Sequence, residues 1–180
     1  MLTLASSSQT RAEILRANGI SFNQIKLNFK EEVERVGTPS KYVLDVVKSK
    51  QKEFFDIYPD MQNVLFADSI VSIEDKIFGK AKYEKDALDM LLAQSGNIVS
   101  VFSAMLFCSQ KFEMISVNET KFEFLKFEEN DLNFYLQSNE WQGKAGAMMI
   151  EGFNKKYIKS YSGYLSNARG LCVEILKAFL

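Results

Sequence analysis

A cluster of hydroxyl side chains and an arginine lies where a short apolar run meets an amphipathic segment, in "LASSSQTRAEIL" (residues 4–15). Ser8 is well placed to be the N-cap of a helix, which would account for one hydroxyl group. Ser6, Ser7 and Arg11 remain, and strand-to-helix junctions of this kind can hold phosphate oxygens with backbone N–H groups and the positive helix end. The segment is therefore either a plain helix cap or an anion-binding loop, and the residues alone leave both possibilities open.

Three more side chains at predicted element ends could act on a phosphate. Asp68 closes the apolar run "NVLFAD", and ligands bind near the carboxyl ends of strands in open α/β sheets. Capping of the next turn is the alternative role for Asp68. Lys80 follows a glycine in "FGKAK" and Lys144 lies between two glycines in "WQGKAG", although most lysines are simply surface residues. Together these anionic and cationic side chains suggest a polyphosphate ligand with a divalent metal.

The composition excludes several other kinds of chemistry. Histidine is absent, so any acid–base step would use carboxylates, lysines or tyrosines. The 22 Lys and Arg residues nearly balance the 23 Asp and Glu residues, so no overall field favours nucleic acid or an anionic membrane. Cys108 and Cys172 lack metal-ligand spacing, and we expect two buried thiols in a reducing compartment. Because no signal peptide or membrane-length apolar run is present, we expect a cytoplasmic protein with no membrane partner.

The elements that must position these residues alternate between helices and strands. We expect residues 1–180 to form a single domain, because no linker or repeat interrupts them. Helices interleaved with adjacent and distant strands predict an α/β fold with a mixed sheet. The predicted strands are 2–5, 20–27, 63–68, a hairpin over 69–80 that turns at Glu74 and Asp75, two β-rich segments around a turn at 109–111, and one after Gly152. The predicted helices are 8–18, 39–56, 82–94, 128–137 and 168–179.

Motifs along nearly the whole chain resemble one known family. They are "LASSSQTRAEIL", "KYVLDVVKSK", "ADSIV", "FGK", the "SG" after the third long helix, "NETKFEF", "WQGKAGAMMIEG" and "SGYLSNARGL". In this order and spacing they look like the Maf family, the septum-formation-inhibitor-like nucleotide pyrophosphatases. The resemblance implies an elongated mixed sheet flanked by helices, with two lobes and a central cleft, as in inosine triphosphatase-like enzymes. It also implies hydrolysis of nucleoside triphosphates to the monophosphate and pyrophosphate with a divalent metal, Mg²⁺ or Mn²⁺, by a homodimer.

The resemblance assigns roles to individual residues. Asp68 matches the family's catalytic aspartate, and Lys50 and Lys80 are the catalytic lysines. The residues that it places on the substrate are Ser8, Thr10, Arg11, Ser69, Lys144 and Glu151. Glu31 matches a metal-associated glutamate that would act with Asp68, and Glu32 is the alternative register because the loop before Pro39 varies in length.

Four positions depart from the family pattern. Gln9, Ala81 and Cys172 replace prolines, and Val99 stands where most members carry a histidine. These changes favour a second interpretation, in which the protein is a nucleotide-binding regulator of septation or cell shape with little turnover. Retention of Asp68 and of all three lysines favours the enzyme.

Glu151, in "MIEGF", bears on the choice of base. Pyrimidine-preferring members of the family carry glutamine at this position, and members that resemble 7-methyl-GTP hydrolysers carry glutamate. An ionised carboxylate only accepts hydrogen bonds, which suits the adjacent N1–H and 2-amino donors of guanine. We therefore predict that 7-methyl-GTP or another guanine nucleotide is preferred over dTTP and UTP. Thr10 and Ser69 match neither branch of the family cleanly, and a Glu151 that merely faces solvent is the alternative.

Overall fold

The strands of the computed structural model, which describes residues 1–30 and 33–180, form one mixed sheet. Those seven strands are β1 (Leu2–Ala5), β2 (Phe22–Ile25), β3 (Val64–Ile73), β4 (Lys76–Phe78), β5 (Ile98–Cys108), β6 (Glu113–Phe124) and β7 (Ile158–Ser162). The order across the sheet is β2-β1-β3-β5-β6-β7, and β4 pairs with the far end of β3. The pairs of β1 with β2 and β3 are parallel, and every other pair is antiparallel. The predicted α/β fold with a mixed sheet is confirmed.

One edge of β3 changes partner along its length, and this change opens the sheet. The start of β3 pairs with β1 through Val64 and Leu65, and its end pairs with β4 from Val71 onward. Between these points, residues 66–70 have no strand partner on this edge within the described chain, while the other edge pairs with β5 throughout. The prediction that the strand ends at Asp68 is wrong, because pairing with β5 and then β4 carries it on to Ile73.

Helices cover both faces of the sheet. In chain order they are α1 (Gln9–Ala17), α2 (Pro39–Ile57), α3 (Glu84–Gln94), α4 (Glu129–Ser138), α5 (Leu165–Ala168) and α6 (Val173–Leu176), with 3-10 turns at Phe153–Tyr157 and Lys177–Phe179. Ser8 and Thr38 cap α1 and α2, each accepting a hydrogen bond from a backbone N–H three residues later. Within the described residues, none of the helices combines the length and the apolar composition that a membrane span requires.

The alternation of side chains along β3 decides which helix each residue meets. Val64 and Phe66 pack with α2, whereas Leu65 and Ala67 pack with α1 and the C-terminal segment. Successive side chains of a strand point to opposite faces, so Asp68 lies on the face of α2 and Ser69 on the face of α1. Because one edge of β3 has no neighbouring strand at this level within the described chain, side chains from both faces can reach one cleft at that open edge.

The C-terminal segment departs from the predicted helix over 168–179. Helix α5 ends at Ala168, and Gly170 adopts a φ of +109°, which a continuous helix cannot contain. The short α6 and a 3-10 turn follow. The strand predicted over 20–27 is also shorter, since only Phe22–Ile25 pairs with β1. Cys172 is buried as expected, but Cys108 is only partly buried.

Candidate active site

A cleft of about 530 Å³ lies at the open edge of β3 and receives side chains from distant parts of the chain. All nine predicted site residues within the described chain line it, namely Ser8, Thr10, Arg11, Lys50, Asp68, Ser69, Lys80, Lys144 and Glu151. The predicted metal-associated Glu31 and its alternative Glu32 lie outside the described residues. The cleft thus brings the sequence motifs together in space.

The serine cluster has both a capping and a positioning function. Ser8 Oγ accepts a hydrogen bond from the backbone N–H of Arg11 at 3.3 Å, as an N-cap should. Ser6 Oγ accepts from the backbone N–H of Ser8 and from Nη1 of Arg11, both at 3.2 Å. The hydroxyl group of Ser6 therefore fixes the loop and the arginine together. The sequence indicated the cluster but not that Ser8 caps the helix while Ser6 binds both the loop and Arg11.

Four contacts orient the guanidinium of Arg11. Its Nε donates to the backbone carbonyl of Gly170 at 2.8 Å, and its Nη2 donates to Ser69 Oγ at 3.3 Å. Nη2 also lies 3.8 Å from Oδ1 of Asp68. Together with the bond to Ser6, these contacts hold a charged group in a fixed position before any ligand arrives, which lowers the entropic cost of binding an anion.

Asp68 forms the centre of the charged part of the cleft. Nζ of Lys50, from α2, donates to Oδ1 of Asp68 at 2.7 Å. Lys50 is only 7% exposed and its ammonium lies 5.9 Å from the ring centre of Phe29. Lys50 and Arg11 approach the same oxygen of this carboxylate, Oδ1, at 2.7 and 3.8 Å. Such a poorly solvated carboxylate between two cations is held in one orientation.

A chain of hydroxyl groups continues from Ser69 into the protein, and no local sequence pattern predicted it. The hydroxyl groups of Ser69 and Ser103 lie 2.7 Å apart, and Ser103 donates to the backbone carbonyl of Asn167 at 2.7 Å. Asn167 in turn donates to Thr120 Oγ1 at 3.0 Å. These buried links tie β3, β5 and β6 to the turn that carries Gly170. Only the glycine of "NARGL" was a sequence signal for this turn.

The opposite wall of the cleft is a loop, residues 142–151, joined to the segment after β4. Lys80 forms an isolated antiparallel bridge with Ala145, and the backbone N–H of Gly146 donates to the carbonyl of Gly79 at 2.8 Å. This short pairing brings Lys80 and Lys144 to the same wall. A Cβ added at Gly146 would lie 2.8 Å from Cβ of Val71, so only glycine allows the loop to approach β3 this closely.

Buried amide side chains hold this loop from behind. Gln94 donates to the carbonyl of Gly146 at 2.6 Å, and Asn154 accepts from the N–H of Met149 at 2.8 Å. The two amides also bond to each other, from Asn154 Nδ2 to Gln94 Oε1, at 3.3 Å. Both are fully buried. Sequence reasoning missed this pair, because nothing local marks two polar residues 60 positions apart as partners.

An apolar surface completes the cleft beside Glu151. Val71, Val101, Met148 and Ile150 line the cleft and belong to one buried cluster. Glu151 follows Ile150 and is exposed at the rim. Burial raises the pKa of Tyr135, and the negative charges of Glu140 and then Glu151 add smaller contributions in the same direction. The hydroxyl group of Tyr135 donates to the carbonyl of Ala147. The cleft therefore combines an apolar surface with several cations, a combination suited to a nucleotide.

Val99, which stands at the family's histidine position, does not line this cleft. Its side chain is fully buried on β5, within the same apolar cluster as Val71 and Val101. Within the described residues, no group of three Asp, Glu, Cys or His side chains forms a metal cage. Of the described residues that line the cleft, Asp68 and Glu151 carry carboxylates, and Asp68 is the one that contacts Lys50 and Arg11.

Comparison with known proteins agrees with the motifs. A family model described as "Maf-like protein" matches residues 1–180. A nucleoside triphosphate pyrophosphatase of Campylobacter jejuni subsp. doylei is 40% identical over 183 residues, which cover 100% of both chains. Proteins of the same name from a Nitratiruptor species and from Helicobacter pylori are 39% and 34% identical, over 98% and 96% of this chain and 96% and 91% of theirs. The chain belongs to the Maf family.

Proposed function

We propose that this protein is a nucleoside triphosphate pyrophosphatase, which hydrolyses its substrate to the nucleoside monophosphate and pyrophosphate. The observation that carries the proposal is the position of Asp68, held between Lys50 and Arg11 in a cleft that Lys80 and Lys144 also line. A carboxylate fixed among several cations fits a site that must bind a polyanion and also handle the proton of a water molecule. The names of the relatives support the same activity.

The reaction is an attack of water on the α-phosphorus. The new P–O bond forms from the water oxygen, and the bond from the α-phosphorus to the α,β-bridging oxygen breaks. Asp68 orients the water and accepts its proton, a role that needs no histidine. Negative charge grows on the departing pyrophosphate, and Arg11 with Lys80 and Lys144 stabilises that charge. Lys50 holds the carboxylate of Asp68 in place during the transfer.

A hard divalent cation, Mg²⁺ or Mn²⁺, fits the donors that the cleft presents. Mg²⁺ is usually bound through one or two carboxylates together with substrate phosphates and water, and Asp68 in a cleft suited to a triphosphate matches this mode of binding. Asp68 would hold the cation, with Glu31 as its sequence-predicted companion. When bound, the cation supplies neutralisation of phosphate charge and polarisation of the phosphoryl oxygen.

The preferred base is guanine, in GTP, 7-methyl-GTP or a related nucleotide, rather than thymine or uracil. Glu151 supports this choice because its carboxylate accepts from two adjacent donors, and it stands beside the apolar surface of Val71, Val101 and Ile150 on which a base can pack. Replacement by glutamine adds a donor and should shift the preference toward dTTP and UTP. A wild-type enzyme that hydrolyses dTTP or UTP better than guanine nucleotides would contradict the role of Glu151.

Two further features complete the proposed enzyme. The cleft separates two lobes, as in inosine triphosphatase-like proteins, and the protein works as a homodimer on cytoplasmic nucleotides. Support for these features comes from membership of the Maf family. Light scattering of the purified protein at several concentrations tests the dimer, and a monomer at micromolar concentration would contradict it.

The direct test of the activity is release of pyrophosphate from a panel of nucleotides. The purified chain is incubated with GTP, 7-methyl-GTP, dTTP and UTP in the presence of Mg²⁺ or Mn²⁺, and both products are measured. We expect equal amounts of nucleoside monophosphate and pyrophosphate. Tight nucleotide binding without turnover would instead favour the nucleotide-binding regulator of septation or cell shape. Release of inorganic phosphate alone would show cleavage at another bond.

A further inference from the structure

Arg169, in the motif "SGYLSNARGL", lines the same cleft, and the proposed mechanism gives it no role. It follows helix α5 and precedes Gly170, whose carbonyl holds Arg11. Its Nε is completely buried and has no hydrogen-bond partner in the described part of the chain. A buried donor of a charged group without a partner is costly, so such a group indicates a ligand that is bound when the protein works.

Arg169 lies between a residue of the apolar part of the cleft, Ala168, and Gly170, whose carbonyl accepts from Arg11. Its neighbour Ala168 packs against the apolar cluster that contains Val71, Val101 and Ile150. Glu151 also follows directly on this cluster, since it succeeds Ile150 in the chain. No ion pair joins Arg169 to Glu151 among the residues that the structure describes. The apolar surface therefore has two unlike polar side chains at its margin, one that only donates hydrogen bonds and one that only accepts them.

We propose that Arg169 reads the acceptor edge of an unmodified guanine, the O6 and N7 atoms, while Glu151 reads the donor edge of the same base. This inference rests on the proposed function and narrows it. Arginine binding to O6 and N7 of guanine is a common specific contact between a side chain and a base, because the spacing of its donors matches the two acceptors. Guanine presents acceptors on one edge and donors on the other, as the two side chains require.

Other bases match this pair of side chains less well. Adenine places a donor, its 6-amino group, beside N7, so Arg169 would lose one acceptor and meet a donor. Uracil and thymine have one N–H between two carbonyl oxygens, which leaves a carboxylate facing acceptors as well as a donor. Methylation at N7 of guanine removes the acceptor and adds a positive charge that the guanidinium would repel. The pair therefore favours GTP over 7-methyl-GTP.

The test uses 7-deaza-GTP, in which a C–H group replaces N7 and the triphosphate is unchanged. We compare kcat/KM for GTP, 7-deaza-GTP, 7-methyl-GTP and UTP between the wild-type chain and Arg169→Met. The matched control is Arg16→Met, which removes an arginine whose side chain lies over the ring of Phe22, outside the cleft. We expect wild type to prefer GTP over 7-deaza-GTP and over 7-methyl-GTP by about tenfold or more, as one good bidentate contact allows. Arg169→Met should lose this preference, mainly through GTP, and Arg16→Met should keep it.

Three results would overturn the inference. Equal kcat/KM of wild type for GTP and 7-deaza-GTP would show that N7 is not read. An equal loss for all four nucleotides in Arg169→Met would place Arg169 on the sugar or the phosphates. A loss of folding would produce the same uniform result, so Arg169→Lys, which keeps the charge but not the paired donors, is measured with it. In a folded Arg169→Lys protein, retention of the full discrimination would also contradict the proposal.

Failure of the proposed function is recognised separately. If wild type releases pyrophosphate from none of the four nucleotides, the proposed function fails. The role of Arg169 is then decided by equilibrium binding of GTP and 7-deaza-GTP to wild type and Arg169→Met. A tenfold weaker binding of 7-deaza-GTP to wild type alone would support it, and equal binding would refute it.

Discussion

The two walls of the cleft are built in different ways. The wall around Asp68 consists of side chains on regular elements, Arg11 on α1, Lys50 on α2 and Asp68 on β3, which contact one another directly. The wall that carries Lys144 is a loop whose shape depends on residues that never reach the cleft, above all Gln94 and Asn154. In the first wall, the charged side chains are positioned by direct contacts with Asp68. In the second wall, the loop that carries Lys144 is positioned by buried side chains behind it.

This difference predicts different consequences of substitution. A change in the Asp68 wall removes a group that acts on the substrate, so activity should fall much more than stability. A change behind the loop should lower stability and weaken substrate binding together, because the loop loses its fixed position. The predictions below test this distinction, beginning with the substitution that should have the largest effect.

Asp68→Asn should reduce the rate of pyrophosphate release by at least about a hundredfold, the lower end of what a general base contributes. The amide keeps the shape of the carboxylate but cannot accept a proton at neutral pH, and it removes the negative charge that contacts the buried ammonium of Lys50. Turnover is measured with saturating nucleotide and Mg²⁺, and circular dichroism confirms the fold. A folded Asp68→Asn protein with undiminished turnover would remove Asp68 from the catalytic role.

Arg11→Ala should raise KM and lower kcat, for a combined loss of about 1.5–3 kcal/mol, because a charge-assisted contact to phosphate is lost. Four fixed contacts to this guanidinium are lost with it. Arg11→Lys distinguishes charge from geometry, since lysine keeps the charge but cannot make all of these bonds at once. The measurement is steady-state kinetics beside nucleotide affinity, and unchanged affinity would leave Ser8 and Arg11 with a structural role only.

The contrast between the walls also explains which parts could be predicted from sequence. The residues of the Asp68 wall belong to short motifs, and alternation along β3 follows from its period of two. The end of β3 was predicted wrongly because pairing with β5 and β4 is a long-range property that no local pattern shows. The buried pair of Gln94 and Asn154 is defined only by tertiary neighbours, and so is the Nε of Arg169, which has no hydrogen-bond partner within the described chain. Sequence reasoning had no signal for either.

Gly143 and Gly146 provide a matched pair of substitutions. They test whether the close approach of the loop to Val71 requires glycine at position 146. Gly146 and Gly143 both have positive φ, at +61° and +74°. A Cβ at Gly146 would lie within 2.8–3.0 Å of three carbon atoms of Val71, whereas a Cβ at Gly143 meets nothing within 4 Å. Gly143→Ala should therefore cost about 1 kcal/mol of backbone strain alone. Gly146→Ala should cost about 1–3 kcal/mol more through overpacking.

Chemical denaturation of the two glycine variants measures this difference, and the double variant Val71→Ala/Gly146→Ala provides the check. Removal of the two methyl groups of Val71 eliminates two of the three close contacts and leaves only that with Cβ, so the two substitutions should cost less together than the sum of their separate effects. Strict additivity would mean that the contact with Val71 is not what limits this position.

Gln94→Leu tests the support behind the loop without touching the cleft, because Gln94 does not line it. Leucine is close in size to glutamine and suits a buried position, but it leaves the carbonyl of Gly146 and Nδ2 of Asn154 without their partner. We expect a loss of about 2 kcal/mol, or about 4–8 °C in the melting temperature of a chain of this size. Gln137→Leu is the matched control and should change stability little, because the side chain of Gln137 is exposed.

If Lys144 depends on this support, KM for the nucleotide rises in Gln94→Leu while kcat at saturation stays nearly constant, since Asp68 and Arg11 keep their own contacts. A fall in kcat as large as that in Asp68→Asn would show that the two walls are not independent.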